Sequence, residues 1–487
     1  MFKGHPEAVV HLALGLALAL TLPPFPLGAL APLVLALVLG GRRGFGAGAL
    51  LGLGFWGLHL AWLPLSFAQR FGPVGAVPPL VLIATLALVW GLLFRLAGGS
   101  ALSLAGGWVL LEFLLAQGEL AFPWGYLGYS LWTSPGRGLA AWVGVNGLSL
   151  LVLLVALSLR RRRWWPLLAW GALWLLPLPR PPADEGVLLV QGAVDPMEKW
   201  RGAEVLERYL DLTARGLSRH PEAGLVVWPE TAVYRLPPEL PPELARRDLL
   251  LGRFGPGPSN RAELYRGGEL VGVYLKRRLV PFGETLPLGG LLGGVYRWFL
   301  GRMGLSGLAA LRPGDDPRPL DGYAVSVCYE ADFPGEVRRQ VLLGGEVLVN
   351  LSNDGWFGAG FGREQHLAMV SFRAVENRRW LLRAANDGVT AVIDPYGRVV
   401  ARLPVGEPAF LYSRFGRREE KTFYTRAGEL PVISLAFTLT ALGLITARAR
   451  TPSPGGGRAG TSGRWGGGAP RRRSAAGARP RGSPGAG

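Results

Sequence analysis

The chain has 487 residues, a formal charge of +18 and a single cysteine. One cysteine excludes an intramolecular disulfide and a cysteine-based zinc set, and the five histidines show no metal-ligand spacing. Nor does the charge point to nucleic acid: residues 447–487 alone hold nine arginines and no acid, in a Gly/Pro/Ser-rich tail that cannot bury enough apolar surface to fold and that, beside a membrane, meets anionic lipid headgroups.

Residues 1 to about 180 are nearly free of charge and crowded with Leu, Ala, Gly and Trp, the composition of a membrane domain. Apolar stretches fall at about 7–22, 25–40, 46–68, 78–98, 102–118, 138–159 and 164–179, and again at 430–447. The first two are short against the roughly 20 residues a span requires, and Pro23-Pro24 divides them. Counted as two spans, they leave Lys3, Arg42-Arg43, Arg95 and the run Arg160 to Arg163 in alternate loops on one side, as the positive-inside rule asks. The N-terminus is then cytoplasmic, seven crossings put the chain outside after residue 180, and an eighth at 430–447 returns the basic tail to the cytoplasm. A cleaved signal peptide fits less well, because six more spans follow and no small-residue cleavage site stands out. Gly52-Leu53-Gly54-Phe55-Trp56-Gly57 satisfies G-x-G-x-x-G but lies in an apolar run with no preceding strand, and Gly44, Gly48 and Gly52 read as close helix packing. Glu112, the one acid well inside an expected span, reads as a structural residue at a helix interface. The aromatic residues of 122–132 read as an interfacial belt or as the lining of a lipid entry path.

Residues 183–427 differ in character, with charges, turns and short β-like runs at 187–194, 224–230, 270–276, 323–330, 346–354 and 389–397. Helical patterns run between them, over 204–220 and 363–385. Strands rich in Val and Leu with intervening helices imply an α/β layered fold around a buried sheet. Three of the expected strands end in a reactive side chain: Glu230 in "VVWPE", Lys276 in "GVYLK" and Cys328 in "VSVC". Strand ends are where distant parts of an α/β chain converge. A thiol with an ordinary pKa of about 8.5 needs a base, which Glu230 supplies, and a lysine holds the charge that develops on a carbonyl oxygen under attack. Each residue taken singly is an ordinary strand-end charge or a buried cysteine; the three together point to catalysis. His366 reads as a helix-surface or core histidine.

The segments "VVWPET", "YLKRRLVPFGE", "SVCYE" and "LSNDGWFG", in this order, resemble the carbon-nitrogen hydrolase (nitrilase) superfamily. Together with the flanking spans, "FPWGYLGYS", "QGAVDPMEKW" and "RAVENRRWLLRAANDGVTAVID", the chain resembles the membrane-bound branch of that superfamily, the apolipoprotein N-acyltransferases, over nearly all its length except the tail. The resemblance implies an αββα sandwich carrying a Glu-Lys-Cys catalytic set, with eight transmembrane helices. The expected division is a seven-helix transmembrane domain at 1–182, an extracytoplasmic nitrilase-like domain at 183–427, an eighth helix at 428–447 and a disordered cytoplasmic tail at 448–487. By the same resemblance Glu230 is the general base, Lys276 the oxyanion-stabilising lysine and Cys328 the nucleophile. Glu284, Tyr329 and Glu330 support them, Asn260 matches an asparagine in a sheet-edge turn, and Trp200 and Trp356 stand on mobile loops at the entrance. The implied activity moves an acyl chain from a phospholipid, through a thioester, to the N-terminal amine of a diacylglyceryl-modified apolipoprotein, in the cytoplasmic membrane, as a monomer with no cofactor. Two other readings compete with it: a membrane-tethered amidase with the same three residues, and a transporter or scaffold with an enzyme-like domain.

Overall fold

A computed structural model describes residues 5–41, 43–195, 205–255, 257–302 and 311–450. Trp200 and all but the first three residues of the 448–487 tail lie outside the described residues. The N-terminal part is helical: α1 (His5–Ala19), α2 (Ala31–Gly40), α3 (Phe45–His59), α4 (Trp62–Phe71), α5 (Val77–Leu96), α6 (Ala101–Leu115), α7 (Ala140–Arg160) and α8 (Trp165–Ala172). Among the described residues three helical stretches are long and apolar enough to cross a membrane: Pro73–Leu96, Pro135–Arg160 and Leu430–Ala449. Helices α3 and α4 make a fourth if the pair, bent by 57°, counts as one span.

The sequence reading expected eight spans, and the difference lies in helix length. Helices α1, α2 and α6 have 15, 10 and 15 residues, which at about 1.5 Å per residue falls short of a hydrocarbon core of about 30 Å. The stretch expected to span at 164–179 holds only the eight-residue α8, because Pro177, Pro179, Pro181 and Pro182 bar a longer helix. The chain still returns alongside α7. The Gly136 N–H and the Ser134 hydroxyl both donate to the Leu173 carbonyl at 2.9 Å, and Trp170 Nε1 donates to the Ala29 carbonyl at 2.9 Å.

Close packing uses small residues at some of the expected places. A Cβ on Gly48 or Gly52 would meet the Trp90 carbonyl oxygen or Ala87 Cα at 2.6 and 2.8 Å, whereas Gly44 has nothing within 4 Å. Glu112 is buried, and its Oε1 accepts from the Leu127 N–H at 2.8 Å, tying α6 to the turn that follows it.

The remainder runs β1 (Glu185–Gln191), α9 (Leu206–Arg219), β2 (Leu225–Val233), α10 (Pro242–Ala245), β3 (Asp248–Phe254), β4 (Asn260–Arg266), β5 (Glu269–Leu275), α11 (Gly289–Arg302), β6 (Tyr323–Val327), α12 (Pro334–Leu342), β7 (Val347–Ser352), α13 (Gly362–Asn377), β8 (Leu381–Ala385), β9 (Ala391–Ile393), β10 (Val399–Arg402), β11 (Ala409–Phe415), α14 (Phe423–Ala427) and α15 (Leu430–Arg450). The strands form two sheets, ordered β11-β1-β2-β3-β4-β5 and β10-β9-β8-β7-β6. Strands β1, β2 and β3 run parallel in the first sheet, and β6, β7 and β8 in the second. Val187, Leu189, Val227 and Leu250 from one sheet meet Val325, Val349, Leu351 and Leu382 from the other in a single buried core. Tyr209 and Leu212 of α9 cover the first sheet, and Val337, Val341, Leu367 and Val370 of α12 and α13 cover the second. The result is the expected sandwich of two sheets between helices.

Helix α13 has two apolar faces. Leu367, Val370 and Ala374 face the sheet, while Met369, Phe372 and Val375 belong to the core of the membrane helices. The helix expected to run to residue 385 stops at Asn377, because Arg378 turns left-handed at φ 51° and the following residues enter β8.

Candidate active site

Two strand ends and two backbone irregularities bring the candidate residues together. Lys276 directly follows β5 and Cys328 directly follows β6. Glu230 is not at a strand end. It sits inside β2, where pairing with β3 shifts register between Trp228 and Val233; Pro229 offers no N–H to the ladder, which suits a bulge that re-aims a side chain. Cys328 itself has φ 53°, a left-handed conformation that a residue with a Cβ adopts only under constraint and that clusters at functional sites.

The charged core of the site is compact. Lys276 Nζ lies 3.1 Å from Glu230 Oε1 and 2.9 Å from the Glu284 carboxylate, and its side chain is 1 % exposed. Asn260, the first residue of β4, donates from Nδ2 to Glu230 Oε1 at 2.7 Å and to Glu284 Oε1 at 3.1 Å. Burial works against the Lys276 charge, but Glu230 and Glu284 outweigh it and hold the ammonium above its ordinary pKa. Burial pushes the Cys328 thiol up, and Glu230 adds to this against the pull of Lys276. The resting pair is therefore a neutral thiol beside a charged lysine, a state in which the thiol reacts only when a base takes its proton.

Glu330 pins the turn that carries the thiol. It is fully buried; Oε1 accepts from the Tyr274 hydroxyl at 2.7 Å and the Arg277 N–H at 2.9 Å, and Oε2 accepts from the Val327 N–H at 3.0 Å. The end of β5 is thereby tied to the end of β6. Tyr329 points to the membrane helices: its hydroxyl donates to the Ala121 carbonyl, and its ring packs with Ala116, Ala121 and Phe333. Trp356 is 37 % exposed. Its carbonyl accepts from Ser66 Oγ at 2.5 Å, and the Arg70 guanidinium lies 5.3 Å from its ring.

A buried polar cluster behind the thiol went unread in the sequence. Ser352 Oγ, which tempers the rise in the Cys328 thiol's pKa, donates to Asp354 Oδ1 at 2.6 Å. Asp354 Oδ1 lies 3.0 Å from His366 Nδ1, Oδ2 accepts from Arg383, and all three side chains are fully buried. Burial opposes the Asp354 charge, yet Arg383 and His366 hold its carboxyl below the usual range. Ser352 and Asp354 stand inside "LSNDGWFG", but nothing in their spacing announces a partner on a helix twelve residues on and another on β8. His366 is a core histidine, one of the two readings made for it.

Comparison with known proteins covers most of the chain. Residues 14–158 match the model of the apolipoprotein N-acyltransferase N-terminal domain, and residues 253–415 match that of carbon-nitrogen hydrolase. An apolipoprotein N-acyltransferase of Azotobacter vinelandii is 34% identical over 93% of this chain and 97% of its own length. That of Photobacterium profundum is 30% identical over 90% and 94%. Among solved structures, an amidase of the nitrilase superfamily from Nesterenkonia AN1 covers 53% of this chain and 99% of its own, at 21% identity and a TM-score of 0.38.

Proposed function

The chain belongs to the apolipoprotein N-acyltransferase family, and from that premise we propose that Cys328 carries an acyl chain from a membrane phospholipid to the α-amine of a diacylglyceryl-modified N-terminal cysteine on an apolipoprotein. The observation that carries this reading is the convergence of Glu230, Lys276 and the chain's single cysteine at one buried site, with Tyr329 bonded to the Ala121 carbonyl in the segment that follows α6. Glu230 takes the thiol proton as Sγ attacks the ester carbonyl, and the carbonyl electron pair moves onto oxygen. Lys276 spends two of its three N–H donors on carboxylates, which leaves one for that oxyanion. Collapse of the intermediate breaks the C–O bond, Glu230 returns its proton to the leaving lysophospholipid, and a thioester remains. In the second half the acceptor amine attacks the thioester, its proton passes to Glu230, the C–S bond breaks and the thiol regains its proton. Glu284 and Asn260 hold Lys276 and Glu230 in place without touching the reacting atoms.

Water would hydrolyse the thioester, so the site has to close around it. Trp356, tethered to α4 through Ser66 and Arg70, is the described part of that closure. The proposed setting is the cytoplasmic membrane, with the sandwich on the outer face and both termini inside. Both lipid substrates then share a surface with the site, which raises their effective concentration.

Intact-mass analysis after incubation with phospholipid tests this. A long-chain acyl adduct is expected on the wild type and none on Cys328→Ala, and Glu230→Gln should acylate at least a hundredfold more slowly. An adduct from a small soluble amide but none from lipid would replace acyl transfer with amide hydrolysis.

A further inference from the structure

Two arginines directly follow Lys276 and play no part in the steps above. Arg277 and Arg278 share a single carboxylate: Arg277 Nη1 pairs with Glu336 Oε2, and Arg278 Nε with Glu336 Oε1 at 2.8 Å. Two guanidiniums on one carboxylate leave a surplus positive charge. The backbone N–H groups of both arginines donate to Glu330 Oε1, at 2.9 and 3.4 Å, so the pair is fixed to a residue two positions past the thiol. The Arg278 guanidinium lies 5.1 Å over the Phe333 ring. Phe333 in turn stands edge to face with Tyr329 at 5.1 Å, and both rings pack with Ala116, which caps α6, and with Ala121 in the segment after it. The Arg278 side chain is 34% exposed. It is therefore a partly free cation where the nucleophile's turn meets the membrane helices.

A phospholipid whose ester carbonyl reaches Cys328 brings its phosphate to within a glycerol backbone of that point. A guanidinium is the side chain best matched to such a phosphate, being planar, forked, permanently charged and weakly hydrated. We infer that Arg278, backed by Arg277, forms a subsite for the phosphate of the acyl donor. This rests on the acyl-transfer reading above. The lipid-modified cysteine of the acceptor carries no phosphate on its glyceryl group, so the subsite serves only the first half-reaction. Contact with the Phe333 ring and the ion pair with Glu336 hold the guanidinium at the turn.

Loading of Cys328 is measured by intact mass with two donors of the same acyl chain in the same micelles, a phospholipid and a phosphate-free p-nitrophenyl ester. In Arg278→Gln the ratio of the two loading rates, phospholipid over ester, is expected to fall roughly tenfold, the effect of losing one charge-assisted contact. Arg278→Lys should restore part of that ratio, since it keeps the charge and loses the fork. Equal slowing with both donors would mean that Arg278 merely holds the turn, and would overturn the inference. Inhibition of ester loading by added inorganic phosphate would reveal a site for the free anion in place of a headgroup, and would overturn it as well. Absence of a phospholipid-derived adduct on the wild type, while the ester still loads, would remove the acyl-transfer reading instead.

Discussion

Cys328 combines two features that pull apart in stability and together in reactivity. Its backbone sits at φ 53°, which costs on the order of 1–3 kcal/mol and persists only where the surroundings over-determine it. Glu330 is that constraint, holding Val327 on one side of the thiol and Arg277 across the gap. Glu230 raises the thiol's pKa through its charge, and in the proposed mechanism it also takes the proton; the two effects are separable. In Glu230→Gln a negative neighbour is gone, so the thiolate becomes easier to form and the pH midpoint of iodoacetamide alkylation at Cys328 should move down. Acylation by lipid should slow in the same variant, because no base remains. A midpoint that stays or rises would mean that Glu230 does not act on this thiol. That these three candidates deserved to be considered together was legible in the sequence, since a lone cysteine and two charges after β-like runs are visible in one dimension, and the structure clusters them. The left-handed turn was not, because no glycine marks it, and the register break that places Glu230 in mid-strand depends on pairing with β3, which the pattern did not announce.

Helix α13 shows what happens when one element serves two cores. A soluble surface helix leaves one face polar, but this one buries both, with Gln365 and His366 adjacent and pointing to different partners. Gln365 Oε1 accepts from the indole N–H groups of Trp62 and Trp124 at 2.9 and 3.1 Å, and Nε2 donates to the His59 and Pro23 carbonyls at 3.0 and 3.2 Å. His366 reaches Asp354 beneath the thiol. Replacing Gln365 by alanine would strand four buried groups, each costing about 1–3 kcal/mol if left without a partner. The effects overlap, so a loss of about 2–5 kcal/mol is expected, read as a lowered melting temperature in detergent; an unchanged melting temperature would mean that water replaces the amide. The sequence pattern placed this helix correctly but ran it on to residue 385. The apolar period continues into β8, and the stop is the left-handed Arg378, a residue type that carries no stop signal. The sequence reading did not place strands β3 and β4, where Arg253 of the one and Arg261 of the other both pair with Glu263, so charges that interrupt an alternating pattern are in fact matched between paired strands.

For the whole molecule, charge pattern and helix length give different counts of crossings before residue 183. Lys3, Arg42-Arg43, Arg95 and Arg160 to Arg163 segregate to one side when each apolar stretch crosses, yet among the described residues only three helical stretches, or four with the bent pair, reach the length required. The two are reconciled if short helices cross together with the extended chain that follows them. Helix α8 is the clearest case. Eight residues of helix rise about 12 Å, a turn follows through Leu175, and the residues beyond it, which are in no helix, add up to about 3.3 Å each if extended. The bonds from Gly136 and Ser134 to Leu173 satisfy a carbonyl that would otherwise face lipid. In the proposed orientation Arg161 lies inside and the sandwich outside, with residues 162–184 making the crossing before β1. Single cysteines in the Cys328→Ala background decide it, because no other thiol is present. In right-side-out vesicles an exposed Glu269→Cys should react with a membrane-impermeant maleimide, whereas Arg161→Cys should react only after permeabilisation. Equal labelling of both before permeabilisation would mean that α8 and the segment after it do not cross. The positive loops would then lie on the same side as the catalytic domain, and the proposed orientation would fail with them.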